Sequence, residues 1–410
     1  MRRVVITGAG TINALGDGVP AFAAALRAAR CGIGRLTLFD AGEYRTSCAA
    51  EVHEVPPPWL PRALLRQLSR SDVFALIAAR EALQGAGLWT GAAAAPDARL
   101  NDVGIVLGAT TGGMHGAEEY YRRLVLHLPQ RRRTRMLSLL VSSSADMLAR
   151  VFGCLGPRLA VSTACSSGGN ALGLAADWIR AGRAAVVLSG GTDSLCRMTF
   201  SGFNALQALD HVPCRPFDRE RAGLSLGEGA AMFVLEARNH ALARGATILA
   251  ELLGYGISAD AHHITQPRPD GAGALLAMRR ALEDGALGVE EIDYINAHGT
   301  ATPLNDVIET RAIKALFGKR AFDIPISSTK SMVGHCLAAA GAIEALACVL
   351  AMQGGFVPAT ATLEHADPEC DLDYVPRVSR AQPVRTALSN SYGFGGNNTS
   401  IVLRADSPER

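Results

Sequence analysis

Four side chains in this sequence combine a reactive group with an unusual setting: Cys165, His298, Lys330 and His335. Cys165 lies in "VSTACSSGGNAL", residues 161–172. A short β-type run precedes it, and an Ala/Leu-rich helical pattern follows from 168 to 181. A helix N-terminus presents unpaired N–H groups and a positive partial charge, which favour a thiolate and an oxyanion beside it. The small neighbours Ala164, Ser166, Ser167, Gly168 and Gly169 leave room for a substrate at the sulfur. The same pattern also fits an inert core cysteine in a tight turn, so the segment alone leaves both readings open.

The other three extend the pattern. His298 stands in "EIDYINAHGTATPLND", residues 291–306, just past a strand and followed by Thr300 and Thr302. Lys330 and His335 stand in "ISSTKSMVGHCLAAAGAIEAL", residues 326–346, again past a strand and leading into an apolar helix. A buried lysine needs a partner, and Glu344 in that helix can supply it or orient a histidine. In "SNSYGFGGNNTS", residues 389–400, Gly393, Gly395 and Gly396 bracket Phe394, giving a loop that lets main chain approach a ligand closely. Reactive groups in open α/β sheets gather beyond the carboxyl ends of strands. One cysteine with two histidines supplies a nucleophile and two acid/base or hydrogen-bonding groups. A Cys-His-Asn hydrolase needs one histidine and an amide. Two histidines with a lysine point instead to thioester chemistry and the loss of a carboxylate.

These groups need a frame. β-type runs occur at 4–7, 103–107, 159–162, 185–189, 231–236, 248–253, 292–296, 324–327, 386–388 and 399–403. They alternate with helical patterns near 20–29, 62–85, 116–127, 139–151, 168–181, 271–284, 305–317 and 340–352. Several strands are continuous apolar runs, as in sheets covered on both faces, which predicts a layered α/β fold. The charged stretch "EARNHALARGAT" at 236–247 divides the chain into halves 1–246 and 247–410, each with its own alternation.

Composition narrows the function. The 410 residues are 49% hydrophobic with a formal net charge of +2, which excludes a disordered chain and a nucleic-acid-coating one. Nine cysteines without a C-x-x-C pair predict no metal site and reduced thiols in a cytoplasmic setting. The N-terminus lacks the apolar stretch of a signal peptide. The run 337–352, with Glu344 inside it, reads as a buried helix and not a membrane span. "TGAGTINALG" resembles a dinucleotide loop, yet a lone Gly-x-Gly is weak evidence. Gly8 and Gly10 are read as structural, with no NAD.

Taken in order, the motifs resemble the β-ketoacyl-acyl-carrier-protein synthases of the elongating type, in the thiolase superfamily. They are "VVITGAGTINALG", "STACSSGGNAL", "RPFDRERAGLSLGEGAA", "NAHGTATPLND", "STKSMVGHCLAAAGAIE" and "NSYGFGGNN", and they span essentially the whole chain. The resemblance implies a five-layered α-β-α-β-α fold with two pseudo-duplicated halves, and an obligate dimer. It implies that Cys165 accepts an acyl group, with its own N–H and that of Phe394 as oxyanion hole. His298 and His335 would stabilise the enolate formed by decarboxylation of a malonyl thioester. Lys330 and Glu344 would organise them, with Asn296 and Asn390 in support. Thr300 and Thr302 would contact the phosphopantetheine arm, which arrives on the carrier protein, so no cofactor of the chain's own is expected. Phe394, beside Gly395, would gate the acyl pocket, and the loop around Asp260–Asp270 would move with it.

The partner implied is an acidic acyl carrier protein. Arg62, Arg66 and Arg70 recur every four residues, as on one helical face, and are expected to dock it; "RRRTR" at 131–135 is a second basic cluster. Thr111, in "GATTGGMHG", falls where relatives line the acyl pocket, and a threonine there would tolerate a polar, unsaturated or longer chain. Fatty-acid and polyketide or polyene pathways both stay open, as do a homodimer and a heterodimer with a paralogous subunit. Two other classes compete. A CoA-dependent thiolase usually carries a second cysteine near the C-terminal glycine loop, and this chain has none there. A non-catalytic chain-length partner would not need Cys165, His298 and His335 together.

Overall fold

The computed structural model describes residues 2–53, 57–90, 98–129 and 133–406. Its first strand, β1, is Val4–Asn13, six residues longer than the apolar run predicts. It continues through Gly8 and Gly10, which form no turn. A Cβ on Gly8 would lie 2.1 Å from the carbonyl oxygen of Ala82, and one on Gly10 2.1 Å from that of Ala78. Both carbonyls belong to helix α1, Arg70–Gly85. The two glycines let a helix lie directly on the strand, so the segment is a packing surface.

Nine further strands continue the main sheet: β2 Gly104–Gly108, β3 Arg158–Val161, β4 Val186–Asp193, β5 Gly229–Ala237, β6 Ala250–Ala259, β7 Tyr294–Asn296, β8 Ile326–Ser327, β9 Thr386–Gly393 and β10 Asn397–Arg404, and the two-residue strand Gly16–Asp17 pairs back on β1. Each of β1 to β10 matches one of the ten predicted runs. Their order is β8-β7-β9-β10-β6-β1-β5-β4-β2-β3. From the centre outward, each half uses its first, fifth, fourth, second and third strand. In each half the second strand pairs parallel with the third and fourth, and the fifth runs antiparallel. This shared topology is the pseudo-duplication. The halves join where β1 pairs with β6 at Val4–Ile6.

Helices fill the layers between and outside. The remaining ones used below are α2 Met114–Val125, α3 Ser143–Phe152, α4 Ser167–Arg180, α5 Ala272–Asp284, α6 Pro303–Phe317 and α7 Ala340–Gly354. α1 and α3 cover the first half, and α5 with α6 covers the second. α4 and α7 touch each other and strands of both halves. They form the middle of five layers, as the resemblance implies. A helix covered all round can be apolar all round, which accounts for α7: the stretch Leu337–Gly354 is long and apolar enough to cross a membrane, yet it lies in the core.

The expected helix 62–85 is two elements. A short turn, Arg62–Leu65, ends before Ser69 caps α1. Ser69 and Asp72 form a reciprocal capping box, with Asp72 N to Ser69 Oγ at 3.1 Å and Ser69 N to Asp72 Oδ2 at 2.8 Å. Such a box starts a new helix, so Arg62, Arg66 and Arg70 do not share one face.

Candidate active site

The repeated topology brings corresponding strand ends to one place. Cys165 follows β3, and His335 follows β8, its counterpart in the second half. His298 follows β7, as Thr110 and Thr111 follow β2. Phe394 follows β9, and Asp193 ends β4, the equivalent strand. Cys165, His298, His335 and Phe394 line one narrow cleft with Thr300, Thr302, Asp260 and Asn398.

At Cys165 the backbone is bent by Ala164, whose φ is +51°. That left-handed residue turns the chain from β3 into α4. The sulfur is buried. Burial pushes its thiol up to about 11, opposed by the Lys330 charge and by a hydrogen bond from the Phe394 N–H. The resting group is therefore a thiol, where the helix terminus alone predicts a thiolate. The small residues beyond it also serve packing. A Cβ on Gly168 would lie 2.7 Å from the carbonyl oxygen of Ala338, and one on Gly341 2.8 Å from Gly169 N. The starts of α4 and α7 thus cross at bare backbone, which carries the cysteine loop against the histidine loop.

Both histidines are buried and neutral. Burial first, then the Lys330 charge, holds each well below the ordinary imidazole range. Their rings meet edge to face, 5.5 Å between centres. Lys330 Nζ lies 3.3 Å from His298 Nδ1, and an ammonium only donates, so Nδ1 accepts and the proton sits on Nε2. For His335, the Leu337 N–H donates to Nδ1 at 3.2 Å and fixes the same tautomer. Lys330 is ion-paired with Glu344, and both are about 1% exposed. The His335 loop is pinned by its own N–H to the Ser225 carbonyl at 2.7 Å, which gives the central "AGLSLGEG" segment its place.

Glu309 of α6 was not evident from the sequence. Its carboxylate accepts the N–H of His298 at 2.9 Å and of Gly299 at 2.8 Å, and Asn390 Nδ2 at 3.2 Å. Burial pushes it up to about 7. A carboxylate among Val307, Ile308 and Ile313 was the available signal, since a charge in an apolar stretch needs a reason. Asn390 thus backs the His298 loop. Asn296 instead donates to the Tyr294 hydroxyl at 2.9 Å.

The remaining predicted residues sort clearly. Thr300 and Thr302 line the cleft with their hydroxyls 2.9 Å apart. Asp260 lines it too, but its carboxylate accepts Asn398 Nδ2 at 2.7 Å and Arg268 N at 3.0 Å. Gly395 N donates to the Ile264 carbonyl at 2.8 Å, tying the Phe394 turn to the 260–270 loop. Gly395 and Gly396 have φ of +81° and +73°, the region glycine enters freely. Phe394 stacks on Phe203, 5.4 Å between centres. These two rings and Cys165 separate the cleft from a second chamber of about 510 Å³, also lined by Thr110, Thr111, Met114, Met198, Leu206 and Leu337.

Two expectations are corrected here. The Thr111 hydroxyl donates its proton to Asp193 Oδ1 at 2.8 Å, so it has no donor left for a polar group on an acyl chain. Arg70 is withdrawn from the surface by a two-pronged bond to buried Glu228, at 2.8 and 2.6 Å. Arg62 and Arg66 remain exposed. Of the cluster at 131–135, residues 131 and 132 lie outside those described.

Comparison with known proteins agrees with this geometry. Residues 1–241 match the beta-ketoacyl synthase N-terminal domain, and 249–364 the C-terminal domain. The chain is 42% identical to nodulation protein E of Rhizobium meliloti (strain 1021), over 98% of this chain and 99% of that one. It is 40% identical to 3-oxoacyl-[acyl-carrier-protein] synthase 2 of Synechocystis sp. (strain ATCC 27184 / PCC 6803 / Kazusa), over 98% of each. Among solved structures, the ishigamide ketosynthase/chain length factor superposes with a TM-score of 0.92 at 36% identity, over 99% of this chain and 100% of that one. Matched along both halves in sequence and in fold, the chain belongs to the beta-ketoacyl synthase family.

Proposed function

We propose that the chain performs a decarboxylative Claisen condensation, with Cys165 carrying the acyl group and His298 and His335 stabilising the enolate. The single observation that carries this is the pair of neutral histidines, each with Nδ1 occupied as an acceptor, lining the same cleft as the thiol. Two Nε2–H donors in a buried cleft suit an oxygen that becomes negative, and preorganised donors of this kind dominate many rate enhancements.

The Cys165 sulfur attacks the carbonyl of an acyl thioester, and its proton leaves with the departing pantetheine thiol. The Phe394 N–H, which bonds the resting sulfur, then serves the acyl oxygen together with the Cys165 N–H. A malonyl thioester enters next. Its C–C bond to the carboxylate breaks, CO₂ leaves, and the electron pair is held as an enolate against the two Nε2–H groups. The enolate carbon attacks the acyl-cysteine, the C–S bond breaks, and the departing thiolate takes one proton from water to restore the resting thiol. The product is a 3-oxoacyl thioester two carbons longer. Thr300 and Thr302 bind the pantetheine arm, and Phe394 with Gly395 gates the chamber as the 260–270 loop moves. The arm comes with the carrier, and no resident cofactor or metal is needed.

Docking is proposed on exposed Arg62 and Arg66, which suit an acidic carrier protein. A ketosynthase-like partner, a second copy or a paralogue, would cover α2 and β3. Tyr121, Leu124 and Val125 on α2, Leu137 and Leu140 in the segment that follows it, and Leu155 just before β3 are each at least half exposed, and exposed apolar side chains of this kind suit a protein interface. Met198 and Leu206, on the rim of the chamber, are exposed as well. All nine cysteines are free, in keeping with a cytoplasmic enzyme.

The test is to incubate the protein with acyl-carrier and malonyl-carrier proteins and follow the mass of Cys165. Cys165→Gln is expected to abolish condensation while keeping or raising malonyl decarboxylation. No acyl adduct on the wild type, with no decarboxylation in either protein, would refute the reading.

A further inference from the structure

Asp193 ends β4, is fully buried, and is absorbed by none of the roles above. Its carboxylate takes five donors from two loops. Oδ1 accepts Thr110 N at 3.1 Å, Thr111 N at 2.8 Å and Thr111 Oγ1 at 2.8 Å; Oδ2 accepts Thr110 Oγ1 and, at 2.9 Å, Ala338 N. None of these donors is cationic, so the group neutralises no charge. What it does is join the loop after β2 to the loop after His335.

Both loops face reacting groups. Thr110, Thr111 and Leu337 line the large chamber beside Cys165. Leu337 also supplies the N–H that fixes the His335 tautomer, and it does so with a φ of +51°, a conformation a leucine holds only when its surroundings impose it. The next peptide N–H, that of Ala338, is the one Asp193 holds. The fit is tight on this side: a Cβ on Gly191 would lie 2.6 Å from the Ala338 carbonyl oxygen.

We infer that Asp193 is a positioning residue that sets the wall of the acyl chamber and, through the same carboxylate, holds Leu337 where its N–H orients His335. The inference rests on the condensing reading. An asparagine at 193 would turn an NH₂ group toward donors, release one loop, and let Leu337 relax. Acyl-length preference and enolate stabilisation should then change together, although Asp193 touches neither substrate.

The experiment uses the full chain, with whatever subunit co-purifies, and compares wild type, Asp193→Asn and Thr111→Val. Two quantities are read: the profile of Cys165 acylation across short to long acyl carriers, and malonyl-carrier decarboxylation in a Cys165→Gln background. For Asp193→Asn the profile is expected to shift, and the decarboxylation kcat to fall by about tenfold to a hundredfold, by analogy with the loss of a partner that orients a metal-bound histidine. KM for malonyl carrier should stay unchanged, which general damage to the fold would not spare. Thr111→Val removes, at constant shape, one of the five donors to Asp193 together with the longer hydroxyl contacts to the Ser194 backbone at 3.3 and 3.4 Å, and should shift the profile in the same direction with a smaller fall in kcat. If Asp193→Asn does not fold, the Thr111→Val profile decides. Wild-type profiles and rates in the folded variants overturn the inference. Absence of acylation and decarboxylation in the unsubstituted site overturns the condensing reading itself, and this inference with it.

Discussion

The backbone N–H of Leu337 donates to Nδ1 of His335 at 3.2 Å, so a main-chain atom two residues on decides which ring nitrogen carries the proton. Lys330 does the same for His298 from a side chain, at 3.3 Å. Two histidines on different loops thus reach the same tautomer by independent means, and both are kept neutral by burial and the nearby ammonium.

That arrangement makes the histidines separable by mutation. In a Cys165→Gln background, His298→Ala and His335→Ala should each lower malonyl decarboxylation by about 10²–10³, the range for one lost oxyanion donor. The double variant should fall by less than the product, because both donors serve one oxygen. Release of CO₂ from malonyl carrier measures this. Unchanged rates in either single variant would remove that histidine from the enolate role.

Much of this was legible in the sequence. Most of the ten strands appear as apolar runs because both faces of the sheet are covered along them, the edge strand β3 being the exposed one, and Cys165, His298, Lys330 and His335 stand out because each follows a strand. What was not legible depends on contacts between distant segments. Gly8 and Gly10 look like a turn until α1 is laid on them. Arg70 looks like surface charge because its partner, Glu228, is 158 residues away. Glu309 and Asp193 carry no motif; more than half of their donors are backbone N–H groups, which every sequence has. Thr111 lines the chamber, but that its hydroxyl donates inward to Asp193, 82 residues away, is not legible in "GATTGGMHG".

The state of the nucleophile can be read by alkylation. With the thiol pushed up to about 11, only a small fraction is thiolate at neutral pH. Iodoacetamide labelling of Cys165 should therefore accelerate about tenfold per unit between about pH 7 and pH 10. Lys330 is the largest influence lowering the thiol, so Lys330→Met should slow labelling at every pH in that window. Mass spectrometry of the Cys165 peptide gives both rates. A rate already flat below about pH 8 would mean the thiolate is preformed.

Arginines that look alike in sequence should behave differently. Arg62→Glu and Arg66→Glu are expected to raise KM for the carrier, reduce the salt dependence of the reaction and leave the melting temperature unchanged. Arg70→Ala strands the fully buried Glu228 carboxylate, which also accepts the N–H of Val52 and of Leu195. Breaking such a buried pair costs about 3–5 kcal/mol, so this variant should lose stability in urea unfolding. Equal effects on KM from all three would restore Arg70 to the docking surface.

Glu309 should leave a signature in stability against pH. Its carboxyl rises from an ordinary 4.5 to about 7 in the folded chain, because burial outweighs the three N–H donors that favour the anion. Below 4.5 the group is protonated whether the chain is folded or not, and it adds no pH dependence. Between 4.5 and about 7 the unfolded chain has released the proton while the folded chain retains it. The unfolded state then binds fewer protons, and stability falls as pH rises. Over that window the loss from this one group is about 3 kcal/mol. Glu309→Gln cannot ionise, so it should lack this component even if its overall stability is lower. Urea unfolding of both proteins between about pH 5 and pH 7, compared as a difference, isolates the effect. A wild-type curve parallel to that of the glutamine variant would show that Glu309 is already ionised beneath His298 at the lower pH.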